Sequence, residues 1–403
     1  MNDNVWKRRI QTGLTVIFSG AVLIFLFVLG LWLYVSATAK PLHPNVQDVP
    51  TTMGPAPPAI WNEAVERARP MVRTALAEEN LPGVSVAVGI NGELVWAEGF
   101  GWADLEKKVK VAPDTRFRIG TASVPLTSAG VGQLLEKRQL HLDDDIQTYV
   151  PAFPQKQWPV TLRQLMGHVA GVRNDGGDEG ELLGQHCERP AEGLRAFAES
   201  PLRFEPGTEF RYSSYGWILV SAAVETASGE PFLTFMKRQV FEPLGMTSTT
   251  ADSATDPGPA RATSYFPKFA AEPRYGPDVM RPIDYSCYAG ASVFLSTPSD
   301  LVRFGMAINS GKLLKPDTVK TLQTPLQLAS GLDTGYGLGW DIETPTVAGK
   351  QARLAGHDGD LLGGQAVSLI TFPGQGIVVA ITSNISFAGT HTLGVKIAEA
   401  FTK

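Results

Sequence analysis

The stretch Pro82-Gly83-Val84-Ser85-Val86-Ala87-Val88-Gly89-Ile90-Asn91-Gly92-Glu93-Leu94-Val95-Trp96-Ala97-Glu98-Gly99-Phe100-Gly101-Trp102 decides how the chain folds. Residues 84–90 and 94–102 are two apolar runs, and Asn91-Gly92 sits between them. Both members of that pair tolerate positive φ, which makes it the strongest short-range hairpin signal. Upstream, Trp61, Val65, Ala68, Val72 and Leu76 recur at the spacing of one helix face, and Leu81-Pro82-Gly83 ends that helix. The C-terminal end mirrors this pattern. Residues 366–372 and 377–382 are strand-like around Pro373-Gly374-Gln375-Gly376, and 393–401 reads as a closing helix. Between the two ends, 131–137, 162–166, 216–227 and 232–241 carry helical spacing. The pattern predicts an α/β fold: a sheet built from both chain ends, flanked by helices, with an all-helical region inserted. No internal repeat is present.

The remaining features bound the class. The chain has 403 residues, 43% hydrophobic and 19% charged, with a net charge of −5. That is ordinary for a globular protein and offers no basic stripe for nucleic acid. Lys7-Arg8-Arg9 is followed by no charged residue before Lys40. The apolar run 13–35 is long enough to cross the ~30 Å of hydrocarbon as a helix and longer than a signal-peptide core. The three cations favour an inside N-terminus, so the domain after residue 40 is expected to be exported, on the periplasmic or extracellular side. Residues 1–39 are therefore read as a retained anchor, although Ala37-Thr38-Ala39 resembles a cleavage site. Residues 40–58 contain Pro41, Pro44, Pro50, Pro55, Pro57 and Pro58, and read as an extended spacer holding the domain off the membrane. The domain itself is assigned to 59–403, with its sheet part at about 59–118 and 286–403 and its helical part at about 119–285. Cys187 and Cys287 lack any C-x-x-C spacing. They are read as two buried thiols, with a bridge chemically allowed outside the cytoplasm.

Several segments together resemble the serine β-lactamase-related family, which includes class C β-lactamases, D,D-peptidases and related esterases. These are Pro82 to Val88, Gly99-Phe100-Gly101-Trp102-Ala103-Asp104, Leu162 to Gly171, Glu205-Pro206-Gly207, Phe241-Glu242-Pro243-Leu244-Gly245-Met246, Gly290 to Asp300, and Tyr336-Gly337-Leu338-Gly339-Trp340. They occur in the family's order over about residues 60–403. The resemblance implies a β-lactamase-like fold, with a mostly antiparallel sheet beside a helical region and a site at their junction built from three elements.

The first implied element is a serine followed three residues later by a lysine, one helical turn apart, so that the amine can take the hydroxyl proton. Arg118-Ile119-Gly120-Thr121-Ala122-Ser123-Val124 occupies that place. Thr121 stands for the serine and Val124 for the lysine, and valine cannot accept a proton. Shifting to Ser123 aligns Leu126, which is no better. Thr234-Phe235-Met236-Lys237 has the spacing but falls in a later helix. The second element is Tyr-x-Asn, in which the tyrosine is a candidate general base and the asparagine contacts substrate. Here Tyr212 is kept and Ser214 replaces the asparagine. The third is a Lys/His-x-Gly triplet on a strand edge, matched by His357-Asp358-Gly359. His357 would hold a substrate carboxylate, and Gly359 would let the strand approach the ligand. Thr121, Tyr212 and His357 are expected to face one cleft.

Other chemistries are poorly supported. Gly-x-Ser-x-Gly is absent, and no Walker-type or dinucleotide glycine loop is present, so no cofactor is expected. His357-Asp358-x-Asp360 has no second ligand cluster, so no metal is expected. Asp175, Asp178, Glu179 and Glu181 read as a solvated acidic loop over the site mouth. Asn384-Ile385-Ser386 is a glycosylation pattern. Three functions follow: an impaired or inactive hydrolase homologue that binds a peptide-like or acyl ligand; an active hydrolase using Thr121 or Ser123 with Tyr212 and His357; and a purely structural or interaction module.

Overall fold

The computed structural model describes residues 3–174, 180, 182–252, 260–361 and 363–402. Helix α1 (Asp3–Thr38) opens the chain. Its segment Ile17–Thr38, of mean hydropathy 2.4, lies outside the folded body and is long and apolar enough to cross a membrane. The proline-rich stretch that follows is not the free spacer its composition suggests. His43 and Val49 are buried, and the His43 Nε2 lies 3.0 Å from the Leu81 carbonyl oxygen. Residues Thr51–Met53 form an edge strand, β1. Proline bars a helix here but not an edge strand, whose outward face needs no donor.

Helix α2 (Asn62–Glu78) buries Ala64, Val65, Ala68, Val72 and Leu76 at helical spacing. Strands β2 (Gly83–Ile90) and β3 (Glu93–Asp104) form the hairpin. Its turn residues Asn91 and Gly92 adopt φ of 49° and 92°, as Asn-Gly permits. Next come β4 (Val109–Lys110), β5 (Phe117–Arg118), a 3-10 turn at Gly120–Ser123, and α3 (Val124–Glu136). The inserted region continues with α4 (Leu162–Met166), α5 (Ser214–Ser228) and α6 (Phe232–Met236). It is not all-helical as expected: β6 (Thr250–Ala251), β7 (Tyr265–Pro267) and β8 (Pro277–Val279) interrupt it. The chain returns through β9 (Phe294–Ser296), α7 (Pro298–Asn309) and α8 (Pro316–Leu322). It ends with β10 (Asp341–Glu343), β11 (Thr346–Val347), β12 (Lys350–Gln351), β13 (Leu354–Leu361), β14 (Gln365–Phe372), β15 (Ile377–Ser383) and α9 (Thr390–Ala400).

The main sheet is antiparallel in the order β1-β3-β2-β15-β14-β13-β10, with β4 added to β3. The two chain ends meet at its centre, where β2 pairs with β15. Period-two alternation then divides the side chains between two cores. Val84, Val86 and Val88 join Ile370, Ile381 and Ile397 under α2 and α9. Ala87, Leu369 and Ala380 face α7 and the helical region. Burying one such Val, Leu or Ile contributes about 1.5–3 kcal/mol, so a one-residue slip in register would cost far more than any loop could recover.

Two sequence expectations change. Cys187 and Cys287 are not separate thiols but a disulfide, with Cα atoms 4.8 Å apart. Asn384 is fully buried and its amide donates to the Trp102 carbonyl, so the folded chain presents no glycan acceptor there. The acidic run Asp175, Asp178, Glu179 and Glu181 lies outside the described residues.

Candidate functional site

The first wall of the site is the turn before α3. Arg118 anchors it: its Nε lies 2.6 Å from Asp252 Oδ2, and Arg261 approaches the other carboxylate oxygen at 2.8 Å. Gly120, at φ 51°, turns the chain into the 3-10 turn, and Pro125 begins α3 where a missing N–H costs nothing. Thr121 is only 5% exposed. Its hydroxyl donates to the Asp358 carbonyl oxygen at 3.0 Å. Val124 is fully buried in the apolar core. Ser123 is fully buried too, and its hydroxyl has no hydrogen-bond partner among the described residues.

The second wall is β13. Its Gly359 lies directly on the first wall: a Cβ there would come within 2.2 Å of the Ile119 carbonyl oxygen and 3.1 Å of the Thr121 nitrogen. The glycine is therefore required for strand-to-turn packing, a reason for it that the strand-edge reading does not contain. His357 is 4% exposed. Its Nδ1 lies 2.6 Å from the Asp358 carbonyl oxygen and its Nε2 2.9 Å from the Tyr336 hydroxyl. Both ring nitrogens are engaged inside the protein, so His357 offers no spare donor for a substrate carboxylate in this arrangement.

Tyr336 in turn lies 3.2 Å from Nε2 of His168, whose Nδ1 receives the Ser213 backbone N–H at 3.1 Å. A backbone N–H can only donate, so His168 Nδ1 is bare and the ring hydrogen sits on Nε2. The Trp217 Nε1–H also points at this Nε2, at 3.4 Å; one neutral ring cannot accept at both nitrogens, and the shorter Ser213 bond assigns the ring hydrogen to Nε2. A carbonyl can only accept, so His357 Nδ1 carries hydrogen. The network therefore runs one way: His168 Nε2–H to the Tyr336 oxygen, Tyr336 O–H to His357 Nε2, and His357 Nδ1–H to the Asp358 carbonyl. That carbonyl also accepts the Thr121 hydroxyl. Burial, and next the nearby His357, push His168 well below the usual imidazole range. Burial, with Tyr212 and Asp341 adding, pushes the Tyr336 hydroxyl well above 10. Both groups are neutral near pH 7.

Tyr212 is half-buried and stacks on His168, with ring centroids 4.0 Å apart, and stands 6.2 Å from His357. Thr121, Tyr212 and His357 thus lie around one junction. Ser214 does not serve it as expected. It is fully buried in the first turn of α5, presenting no group to an incoming ligand. Lys237, the lysine of the Thr-x-x-Lys spacing, has a solvent-exposed side chain.

Behind β13 lies a charged cluster that sequence reasoning missed. Asp358 turns its carbonyl inward, while its half-exposed carboxylate meets His391 Nδ1 at 3.0 Å. Glu343 lies 3.5 Å from His391 Nε2. The Asp358 hydrogen bond, despite opposing burial, raises His391 to about 9. Burial opposes ionisation of Asp358, but His391 prevails and holds it below its usual range. Burial pushes Asp341 upward. His168 and Tyr336 were also missed as site residues, although both lie in segments that carried the resemblance. Nothing local in the sequence marks them. His168 adopts φ 58° in a turn where a non-glycine residue is unusual, a feature of the backbone alone. Among the described residues, no group of three or more His, Cys, Asp or Glu side chains could hold a metal ion.

Comparison with known proteins gives the same fold. The mouse (Mus musculus) serine beta-lactamase-like protein LACTB, mitochondrial, is 28% identical over 479 residues, covering 91% of this chain and 86% of the relative. A solved octameric penicillin-binding protein homologue from Pyrococcus abyssi aligns with a TM-score of 0.70 at 21% identity, covering 83% of this chain and 76% of that one. The structure of EstCE1, a hydrolase with promiscuous acyltransferase activity, aligns at 0.69 and 21% identity, covering 85% and 99%. At these identities the solved structures speak for the fold alone. The beta-lactamase family model matches residues 68–399, from α2 to α9, and the chain belongs to the beta-lactamase family.

Proposed function

We propose that this chain is a membrane-anchored, exported member of the family whose hydrolase machinery is disabled, and that its cleft binds a peptide-like or acyl ligand without acylation. One observation carries the reading. The Thr121 hydroxyl donates to the Asp358 carbonyl, while the neighbouring position one helical turn on is Val124, sealed in the apolar core. A nucleophile needs an acceptor for its proton, and a main-chain carbonyl cannot become one. Loss of a positioned base costs about 10²–10⁴-fold in rate. The retained stack of Tyr212 on His168 supports a cleft that keeps its shape. Ser123 is a poorer nucleophile still, being fully buried. The anchor reading rests on the apolar segment of α1 and on Lys7, Arg8 and Arg9, which precede that segment within the helix; an inside N-terminus and an exported body follow from the positive-inside rule.

Intact mass after exposure to a fluorescent penicillin and to a fluorophosphonate tests the reading. No stable adduct is expected on the native chain, nor on Thr121→Ser alone. Thr121→Ser with Val124→Lys should restore measurable acylation, provided the buried amine is neutral or compensated. A mass shift on the unmodified chain that maps to Thr121 would overturn the proposal.

A further inference from the structure

The expected spacer leaves no slack between the membrane helix and the body. Trp32 Nε1, in the last third of the apolar segment, donates to the Tyr275 hydroxyl at 2.9 Å. Tyr275 belongs to the connection between β7 and β8. At 1.5 Å rise per residue, Trp32 lies roughly 9 Å before the end of α1, so the hairpin tip reaches back alongside the helix.

A second clamp fixes the same geometry. Asn80 is 5% exposed and adopts φ 56°. Its side-chain oxygen accepts the Leu42 N–H at 2.7 Å. Its amide nitrogen donates to the carbonyl oxygens of Lys40, at 3.2 Å, and Arg274, at 3.3 Å. One buried side chain thus ties the exit of α1 to the hairpin tip. The side chains at the tip suit a headgroup layer. Phe269 is half-buried, Ala270 and Ala271 are exposed, and the Arg274 guanidinium lies 4.9 Å from the Tyr275 ring centroid. Tyr275 itself is buried, its hydroxyl held by Trp32 and Arg274. The face left to the headgroups is therefore that of Phe269, Ala270, Ala271 and the exposed Arg274, and amphipathic and aromatic side chains favour that layer.

We infer that the β7–β8 hairpin is a seating element, and that its tip rests in the headgroup layer of the bilayer that α1 spans. This rests on the reading of α1 as a retained span. The contact does not depend on anionic lipid. Arg274 is paired with Glu272 at 2.5 Å and Lys268 with Asp278 at 3.9 Å, which leaves little net charge at the tip.

The experiment uses the full chain reconstituted in phosphatidylcholine vesicles that carry a headgroup-attached spin label. The native cysteines are bridged, so Ala270→Cys introduces the one free thiol, and a fluorophore is attached to it. The same fluorophore on Lys320→Cys, in α8, is the reference. Quenching at position 270 should exceed that at position 320 at least threefold. Asn80→Ala combined with Trp32→Phe should reduce the excess while the protein stays with the vesicles after a carbonate wash. Retention with equal quenching at both positions would overturn the seating element and leave the anchor standing. Loss of the chain from the vesicles on washing would overturn both.

Discussion

Thr121 and His357 stand on facing walls of one junction, and the two walls are built differently. On the Thr121 wall, the threonine hydroxyl donates to a main-chain carbonyl and Val124 is sealed in the core, the arrangement on which the proposed loss of hydrolase chemistry rests. On the His357 wall, the titratable and polar groups persist as a continuous chain: His168, Tyr336 and His357 are all at most 4% exposed and all hydrogen-bonded. The difference separates two demands on an active site. A lysine beside a nucleophile serves chemistry, and an apolar side chain fills its place without penalty to the fold. A chain of buried polar groups serves packing as well. Removing one member strands the others, and an unsatisfied buried group costs about 1–3 kcal/mol.

The largest effect is expected where the walls touch. Gly359→Ala places a Cβ against the Ile119 carbonyl and the Thr121 and Ala122 nitrogens. These are backbone atoms that cannot rotate away, so the strand and the turn must separate. Overpacking of this kind costs about 1–3 kcal/mol, and this site should fall at the upper end. Urea unfolding of the full chain in detergent measures it. A loss under about 0.5 kcal/mol, the range of an ordinary surface change, would show that the walls are not in the contact described.

A smaller effect should come from the network alone. Tyr336→Phe keeps the ring and removes the hydroxyl between the two imidazoles. His168 Nε2–H then loses its acceptor, and His357 Nε2 its donor. A loss of about 1–3 kcal/mol is expected, with a change in the imidazole nitrogen resonances of both histidines. If only His357 responded, the one-way chain from His168 would be wrong.

The sequence carried most of the fold because the fold rests on local signals. Asn91-Gly92, the apolar alternation of 84–90 and the helical spacing of 61–76 each fix an element without help from the rest of the chain. The failures share a cause: each required knowledge of a distant partner. The Cys187–Cys287 bridge spans a sequence separation of 100. The prolines of 40–58 leave room for no more than a single 3-10 turn at Val46–Asp48, and they could not reveal that 51–53 would find the edge of β3. In the site, Thr121 and Val124 were placed by register, whereas His168 and His391 became visible only through neighbours far along the chain. Gly359 was read as room for a ligand because a glycine on a strand edge does not announce which backbone will fill the space.

The smallest effect lies on the outer side of the His357 wall. His391 sits in the first turn of α9, where the helix dipole disfavours a cation. It is nonetheless held at about 9, first by the hydrogen bond to Asp358 and then by the charges of Asp358 and Glu343. The sign follows from linkage. A histidine raised above its unfolded value near 6.5 adds stability that is fully present below pH 6.5 and is lost as pH climbs through about 9. Asp358 is held below its usual range, so its share is present above about pH 4 and is lost on acidification below that. The pair is therefore strongest between about pH 4 and 6.5 and fades between 6.5 and 9. Both side chains are partly solvated, at 31% and 48% exposure, so solvent screening limits the pair to about 1 kcal/mol at most. His391→Gln should cost up to that amount at pH 6 and almost nothing at pH 10, giving two stability curves that converge with rising pH. Curves that stay parallel would mean that His391 acts on β13 through packing and not through its charge.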